Sequence, residues 1–196
     1  PGLDEHYHSI HGARTESLHV FIEAGFKATS AHPVRILEVG LGTALNAQLT
    51  FETGEDLGVD IHYHAIEKFP ITEEEASALG EAGMKEALPF LLATHNVPLK
   101  IGNSSFTLLV EDLRTFTAEN GSYDLIYFDA FAPSAQPELW SDEVFENMYR
   151  LLAKGGILTT YCAKGVVKRS MKAAGFEVEA LPGPPRKREM TRAWKR

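Results

Sequence analysis

Residues 36–46 read ILEVGLGTALN: an apolar run interrupted by an acid, two glycines one residue apart, then a stretch that suits a helix. Extended back to Val34, the run VRILEVG (34–40) is short, partly β-branched and bounded by Pro33 and Gly40, which reads as a buried strand. ALNAQLTFET (44–53) reads as the helix that follows, closed by Gly54. Gly40 and Gly42 thus sit where a strand turns into a helix, where the chain must bend sharply and the missing Cβ lets a ligand come close. The dinucleotide fingerprint G-x-G-x-x-G would put a third glycine at position 45, but Leu45 stands there. A pyrophosphate site is weakened, because that glycine permits close helix-to-strand packing. Glu38 points the same way, since a carboxylate in the loop repels phosphate and attracts a cation or an amine. A tight turn with a surface glutamate is the alternative this loop leaves open.

The pattern repeats along the chain. IHYHAIEKF (61–69) reads as a second strand, SFTLLVED (105–112) as a third, YDLIYFDAF (123–131) as a fourth and GILTTYCA (156–163) as a fifth. Between them, Thr72 and Glu75 form a capping-box pattern ahead of a helix ending near Gly80, and MKEALPFLLA (84–93) reads as helical around Pro89. Ser141 caps a helix that stops at Gly155-Gly156, and residues 164–174 form another. FEVEAL (176–181) and MTRAWK (190–195) pair as a closing antiparallel hairpin across PGPPRKRE. Strands separated by helices predict an α/β fold, a mostly parallel sheet with helices on both faces and ligands at the carboxyl ends of its strands.

A chain of 196 residues suits one domain. With 44% hydrophobic and 23% charged residues it has the composition of a folded protein rather than a disordered one. No apolar stretch approaches the roughly 18 residues of a membrane helix, and the first residues lack the pattern of a signal peptide, so the expectation is a cytoplasmic protein with no membrane partner. The chain opens on Pro1, consistent with a trimmed start. Cys162 is the single cysteine, which excludes an internal disulfide and a multi-cysteine metal site. His6, His8 and His11 cluster without an acid or cysteine at zinc-site spacing and read as surface histidines, so no metal is expected. The net charge of −8 hides an asymmetry: from Lys164 onward ten basic residues face three acidic ones. Either a solvated basic end offsets an acidic body, or one basic face meets a polyanion.

Acids close the other strands as well: Glu67 the second, Asp112 the third and Asp129 the fourth. A lone strand-end acid usually caps a helix. Together with Glu38 beside a two-glycine turn, the set suits a nucleoside that carries positive charge. Glu67 is placed to accept both ribose hydroxyls and Asp112 an adenine amino group. S-adenosylmethionine is such a ligand.

At this point the sequence resembles a class I methyltransferase of Rossmann-like fold, and more narrowly the methyltransferase half of the bifunctional tRNA-modifying MnmC enzymes. The segments that carry the likeness are DEHYHSIHGARTESLHVFIEAG (4–25), ILEVGLGTALN, IEKFPIT (66–72), EDLRTF (111–116), YFDAFAPSAQPELWS (127–141) and GPPRKREM (183–190). The resemblance implies methyl transfer from S-adenosyl-L-methionine to the aminomethyl nitrogen on C5 of a wobble uridine in tRNA. It implies one domain over 1–196, with 1–33 as an extension over the cofactor site and 34–196 as the core. It assigns Glu38, Gly40, Gly42, Thr43, Asn46, Glu67, Lys68, Asp112, Leu113 and Asp129 to the cofactor. Tyr7 either closes over the cofactor or is a core aromatic. The sequence departs from the family at Ala44, where glycine is usual, and at Gln136, where asparagine is usual. It also ends at Arg196 without a flavin-dependent oxidase domain, so it resembles a stand-alone methyltransferase whose amine precursor comes from a separate oxidase.

An alkylamine is largely protonated at neutral pH, as lysine's pKa of about 10 illustrates, so the acceptor nitrogen must give up a proton. Asp129 is the candidate catalytic residue for receiving it; holding only the cofactor's charged end is the alternative. Trp140 either stacks on a base or packs beneath the following helix. Arg186, Lys187 and Arg188 either reach tRNA phosphates or form a solvated loop. Competing readings of the whole chain are an aminopropyl transferase acting on a polyamine, an NAD-linked dehydrogenase, and a non-catalytic tRNA-binding module with a vestigial cofactor pocket.

Overall fold

The computed structural model describes residues 12–196. A helix, α1, runs from residue 12 and winds as a π-helix over Leu18–Glu23. It is followed by β1 (Val34–Val39), α2 (Leu45–Leu57), β2 (Ile61–Ile66), α3 (Glu73–Glu81), α4 (Leu88–Leu91), β3 (Leu99–Ile101), β4 (Ser104–Leu109), β5 (Tyr123–Phe128), α5 (Asp142–Leu151), β6 (Leu152–Thr160), α6 (Gly165–Ala173), β7 (Glu177–Pro182) and β8 (Glu189–Trp194). These strands form one sheet in the order β3-β4-β2-β1-β5-β6-β8-β7. β4, β2, β1, β5 and β6 run parallel, while β3 and the β7–β8 hairpin are antiparallel. This is the Rossmann-like sheet with a closing hairpin that the sequence predicts, and β1 lies at its centre.

The central strands are apolar on both faces because both faces are covered. Ile36, Leu125 and Tyr127 face one cluster with Val20 and Phe21 of α1, Ala47 of α2 and Phe90 of α4. Their neighbours Leu37, Ile126 and Phe128 face the other, with Phe145 and Met148 of α5 and Met171 of α6. Arg35 pins β1 to β5 by a two-pronged pair with Asp124, at 2.9 and 2.7 Å.

Local signals hold where they are strongest. Thr72 and Glu75 form both bonds of the capping box, and the Ser141 hydroxyl accepts from the Val144 N–H. Several elements differ from expectation. α2 runs through Gly54 and stops at Gly58, whose φ of 66° is the left-handed cap. Gly54 answers instead to packing: a Cβ there would collide with Ile61 Cδ1 and lie 3.1 Å from the Val59 carbonyl oxygen. α5 ends at Leu151 rather than at Gly155, because Leu152 already belongs to β6. β3 is an additional strand. It is joined to β4 through Gly102 and Asn103, and of the two only Gly102 has positive φ, as a type II′ turn requires.

Gly54→Leu should lower unfolding stability by about 1–3 kcal/mol despite its better helix propensity. Urea unfolding with an unchanged m-value is the check, and a gain in stability would show that Gly54 does not pack against β2.

Candidate active site

The carboxyl ends of β1, β2, β4 and β5 open into one cleft of about 710 Å³, a size that suits a small-molecule cofactor. Gly40, Gly42, Thr43, Asn46, Glu67, Lys68, Asp112, Leu113 and Asp129 all line it. Gly40 takes φ of 85°, and a Cβ would lie 2.9 Å from the Asp129 carbonyl oxygen, so the β1 and β5 ends approach closely only because this residue is glycine. Ala44 also has a positive φ, 61°, which gives the physical reason for the glycine usual at that place. Its methyl is nonetheless fully buried in the core.

Glu38 differs from expectation. It is fully buried and lies behind the cleft wall rather than in it. Its Oε1 accepts from Asn46 Nδ2 at 2.9 Å and its Oε2 from the Tyr63 hydroxyl at 2.8 Å. The same Asn46 amide donates to Asp129 Oδ2 at 2.9 Å, and Ser17 Oγ of α1 donates to Asn46 Oδ1. One amide therefore ties two carboxyl groups and the covering helix together. Burial pushes the Glu38 carboxyl up to about 8, against the bonds from Asn46 and Tyr63, with the negative charges of Asp129 and Glu67 adding to it. Burial likewise lifts Asp129 to about 7, opposed by Asn46, raised further by Glu16 and lowered by Lys187.

Around this centre the acids of the cleft wall are paired. Glu67, at the end of β2, accepts from the Phe69 N–H at 2.9 Å. β4 stops at Leu109, so Asp112 lies in the loop beyond it, where Arg114 at 2.5 Å and Lys68 at 2.9 Å hold it ionised well below the usual carboxylate range. An adenine amino group would share Asp112 with these two cations. Phe69 and Phe131 stand exposed on the rim.

Trp140 is a packing residue: it is buried against Phe128, Phe145 and Tyr161, and its ring N–H donates to the Phe131 carbonyl at 2.8 Å. Lys187 and Arg188 line a neighbouring hollow with Lys164, and Arg186 lines neither cavity. Lys187 is not a free cation: its Nζ pairs with Glu16 at 2.5 Å and sits 4.9 Å from the Tyr161 ring centroid. With side chains 43% and 31% exposed, such a pair is worth about 0–1 kcal/mol.

Glu16, Ser17, Tyr63 and Tyr161 were not singled out from the sequence. The one signal was Tyr63, whose hydroxyl must find a partner once its side of the strand is packed. Tyr7, with His6, His8 and His11, lies outside the described residues. Among the described residues no group of three or more His, Cys, Asp or Glu could hold a metal ion, and no helix is long and apolar enough to cross a membrane.

The part-buried Asp129 in front of the fully buried Glu38, beside a glycine turn with no third glycine for a pyrophosphate, fits a cofactor that carries positive charge. The fold is that of a Rossmann-like methyltransferase, and the chain belongs to the S-adenosyl-L-methionine-dependent methyltransferase family, whose pattern it matches over residues 74–196. Its relatives include the tRNA 5-methylaminomethyl-2-thiouridine biosynthesis bifunctional protein MnmC of Cupriavidus metallidurans, 32% identical over 210 residues, covering 97% of this chain and 31% of that protein. The protein of the same name from Magnetococcus marinus is 34% identical over 212 residues, covering 98% of this chain and 31% of that protein. The crystal structure of MNMC2 from Aquifex aeolicus matches with a TM-score of 0.75 at 26% identity, over 94% of this chain and 61% of that one. The chain thus spans about a third of the length of these curated relatives.

Because Glu38 and Asp129 are raised, the folded protein keeps protons that the unfolded chain has released between about pH 4.5 and about pH 8. Folding stability should therefore fall as pH rises through that window. Thermal unfolding of Glu38→Gln should show a smaller fall than the unaltered protein; an equal fall would place the proton elsewhere.

Proposed function

We propose that this chain transfers the methyl group of S-adenosyl-L-methionine to the aminomethyl nitrogen on C5 of a wobble uridine in tRNA, giving 5-methylaminomethyl-(2-thio)uridine. The observation that carries the proposal is Asp129: a carboxyl at the cleft surface, raised to about 7 and so able to exchange a proton near neutrality. The relatives' names, which specify that nucleoside, support the substrate.

When bound, the cofactor supplies a methyl made electrophilic by its sulfonium. Gly40, Gly42 and Thr43 form the turn that would hold it, and Glu67 is the proposed acceptor for its ribose hydroxyls. Lys68, Asp112 and Leu113 border the side assigned to adenine. Asn46, steadied by Glu38 and Ser17, fixes the carboxyl of Asp129. Asp129 takes one proton from the substrate's ammonium and so frees the nitrogen lone pair for the new N–C bond. The remaining catalysis is orientation in a closed cleft.

tRNA is the proposed partner, met by the basic loop of Arg186, Lys187 and Arg188 beside the cleft. A flavin-dependent oxidase acting upstream is the proposed source of the amine.

The test is methyl transfer from labelled cofactor to tRNA from cells lacking this activity, with nucleoside analysis and a spermidine-type polyamine as control. Label in a C5-aminomethyl uridine is expected; label in the polyamine alone would overturn the assignment. Asp129→Asn should abolish turnover while cofactor binding persists, and loss of both in step would reduce Asp129 to a cofactor ligand. Arg186→Glu with Arg188→Glu should weaken tRNA binding and reduce the slope of log K against log salt concentration by about one for each phosphate that is no longer neutralised. An unchanged slope would remove this loop from the RNA interface.

A further inference from the structure

We infer that Glu16 and the ring of Tyr161 form the seat for the ammonium group of the substrate, and that Lys187 is the chain's own occupant of that seat, displaced when the substrate amine enters. This inference rests on the aminomethyl-uridine reading above and names the residues that recognise the amine.

A carboxylate beside an aromatic face is a pairing that binds alkylammonium ions, one member by a charge-assisted hydrogen bond and the other by its ring quadrupole. The structure shows such an ion bound in this way: Lys187 Nζ lies 2.5 Å from Glu16 Oε1 and 4.9 Å from the Tyr161 ring centroid. Three distant segments build the arrangement, with Glu16 on α1, Tyr161 just after β6 and Lys187 in the loop between β7 and β8. The Tyr161 hydroxyl donates to the Ala130 carbonyl at 2.8 Å, which sets the ring beside the residue that follows Asp129. Glu16, Tyr161 and Asp129 line the same cleft, while Lys187 enters from the neighbouring hollow. Both Glu16 and Lys187 act electrostatically on Asp129, so an ammonium in the seat lies within range of the proposed proton acceptor.

The pair is also exchangeable. Its half-exposed geometry makes it a weak staple between α1 and the C-terminal loop. An aminomethyl group carries the same head as lysine on a shorter stem, so it can take the same two partners. RNA phosphates offer Lys187 an alternative anion as it leaves. Entry of the amine and engagement of the backbone are thereby coupled through one side chain.

The experiment measures kcat, KM and cofactor Kd on tRNA bearing a wobble 5-aminomethyluridine. It compares the unaltered protein with Glu16→Gln, Lys187→Met, the double variant, Tyr161→Phe and Tyr161→Leu. Glu16→Gln should lower kcat/KM about tenfold with cofactor Kd unchanged, and should do so again in the Lys187→Met background. Tyr161→Phe should keep most activity and Tyr161→Leu should lose it as Glu16→Gln does. If the cost of Glu16→Gln vanishes once Lys187 is gone, the pair is only a staple and the inference is overturned. Loss of cofactor binding in Glu16→Gln would assign Glu16 to the cofactor and overturn it equally. An unaltered protein that binds cofactor yet leaves this RNA unmethylated would bring down the tRNA reading itself, and the seat with it.

Discussion

The side-chain amide of Asn46 stands between two carboxyl groups, donating one hydrogen to Glu38 and one to Asp129. A fully buried acid and a part-buried one this near cannot both ionise cheaply, because each charge loses water and repels the other. The amide lessens that cost without cancelling it, and both carboxyls remain raised. The result is a pair of carboxyls that hold their protons more tightly than free ones do, and that give a proton up more readily when a cation arrives. A sulfonium cofactor and a protonated amine are both cations, so one device serves both.

The fold exists around this point. β1 and β5 are neighbours, and Gly40 lets their ends approach until Asp129 reaches the amide of a residue on α2. The third side of the amide belongs to α1, through Ser17. This hydrogen bond comes where the helix turns from regular to π winding, a distortion common at functional sites. Tyr63 on β2 closes the network from below. Three separate elements thus converge on one asparagine of α2 and a fourth, β2, reaches it through Glu38, while the neighbouring Glu16–Lys187 pair joins α1 to the last hairpin at the same cleft.

What was legible in the sequence is what depends on near neighbours. The strand, glycine turn and helix of 34–53, the capping box at Thr72, and the acids at strand ends are all written in short windows, and the structure gathers those acids along one cleft and the β1 end behind it. The interactions that organise the site join residues far apart in the chain: Ser17 with Asn46, Tyr63 with Glu38, Glu16 with Lys187. No periodicity encodes them. Glu38 shows the difference well, since its residue type points to a cation while its position, behind the wall, depends on which side of β1 packs against Tyr63. Trp140 is similar: sequence offers stacking or packing, and only the surrounding Phe128 and Phe145 decide. β3 was legible in principle from Gly102-Asn103, but a three-residue strand gives too short a pattern to stand out.

The central claim is that the Asn46-bridged pair releases a proton when the cationic cofactor binds. Calorimetric titration of S-adenosyl-L-methionine near pH 7, in two buffers of different ionisation enthalpy, measures the protons exchanged on binding. The account predicts net proton release that shrinks in both Glu38→Gln and Asp129→Asn. Binding with no proton exchange, or with release unchanged in both variants, would contradict it.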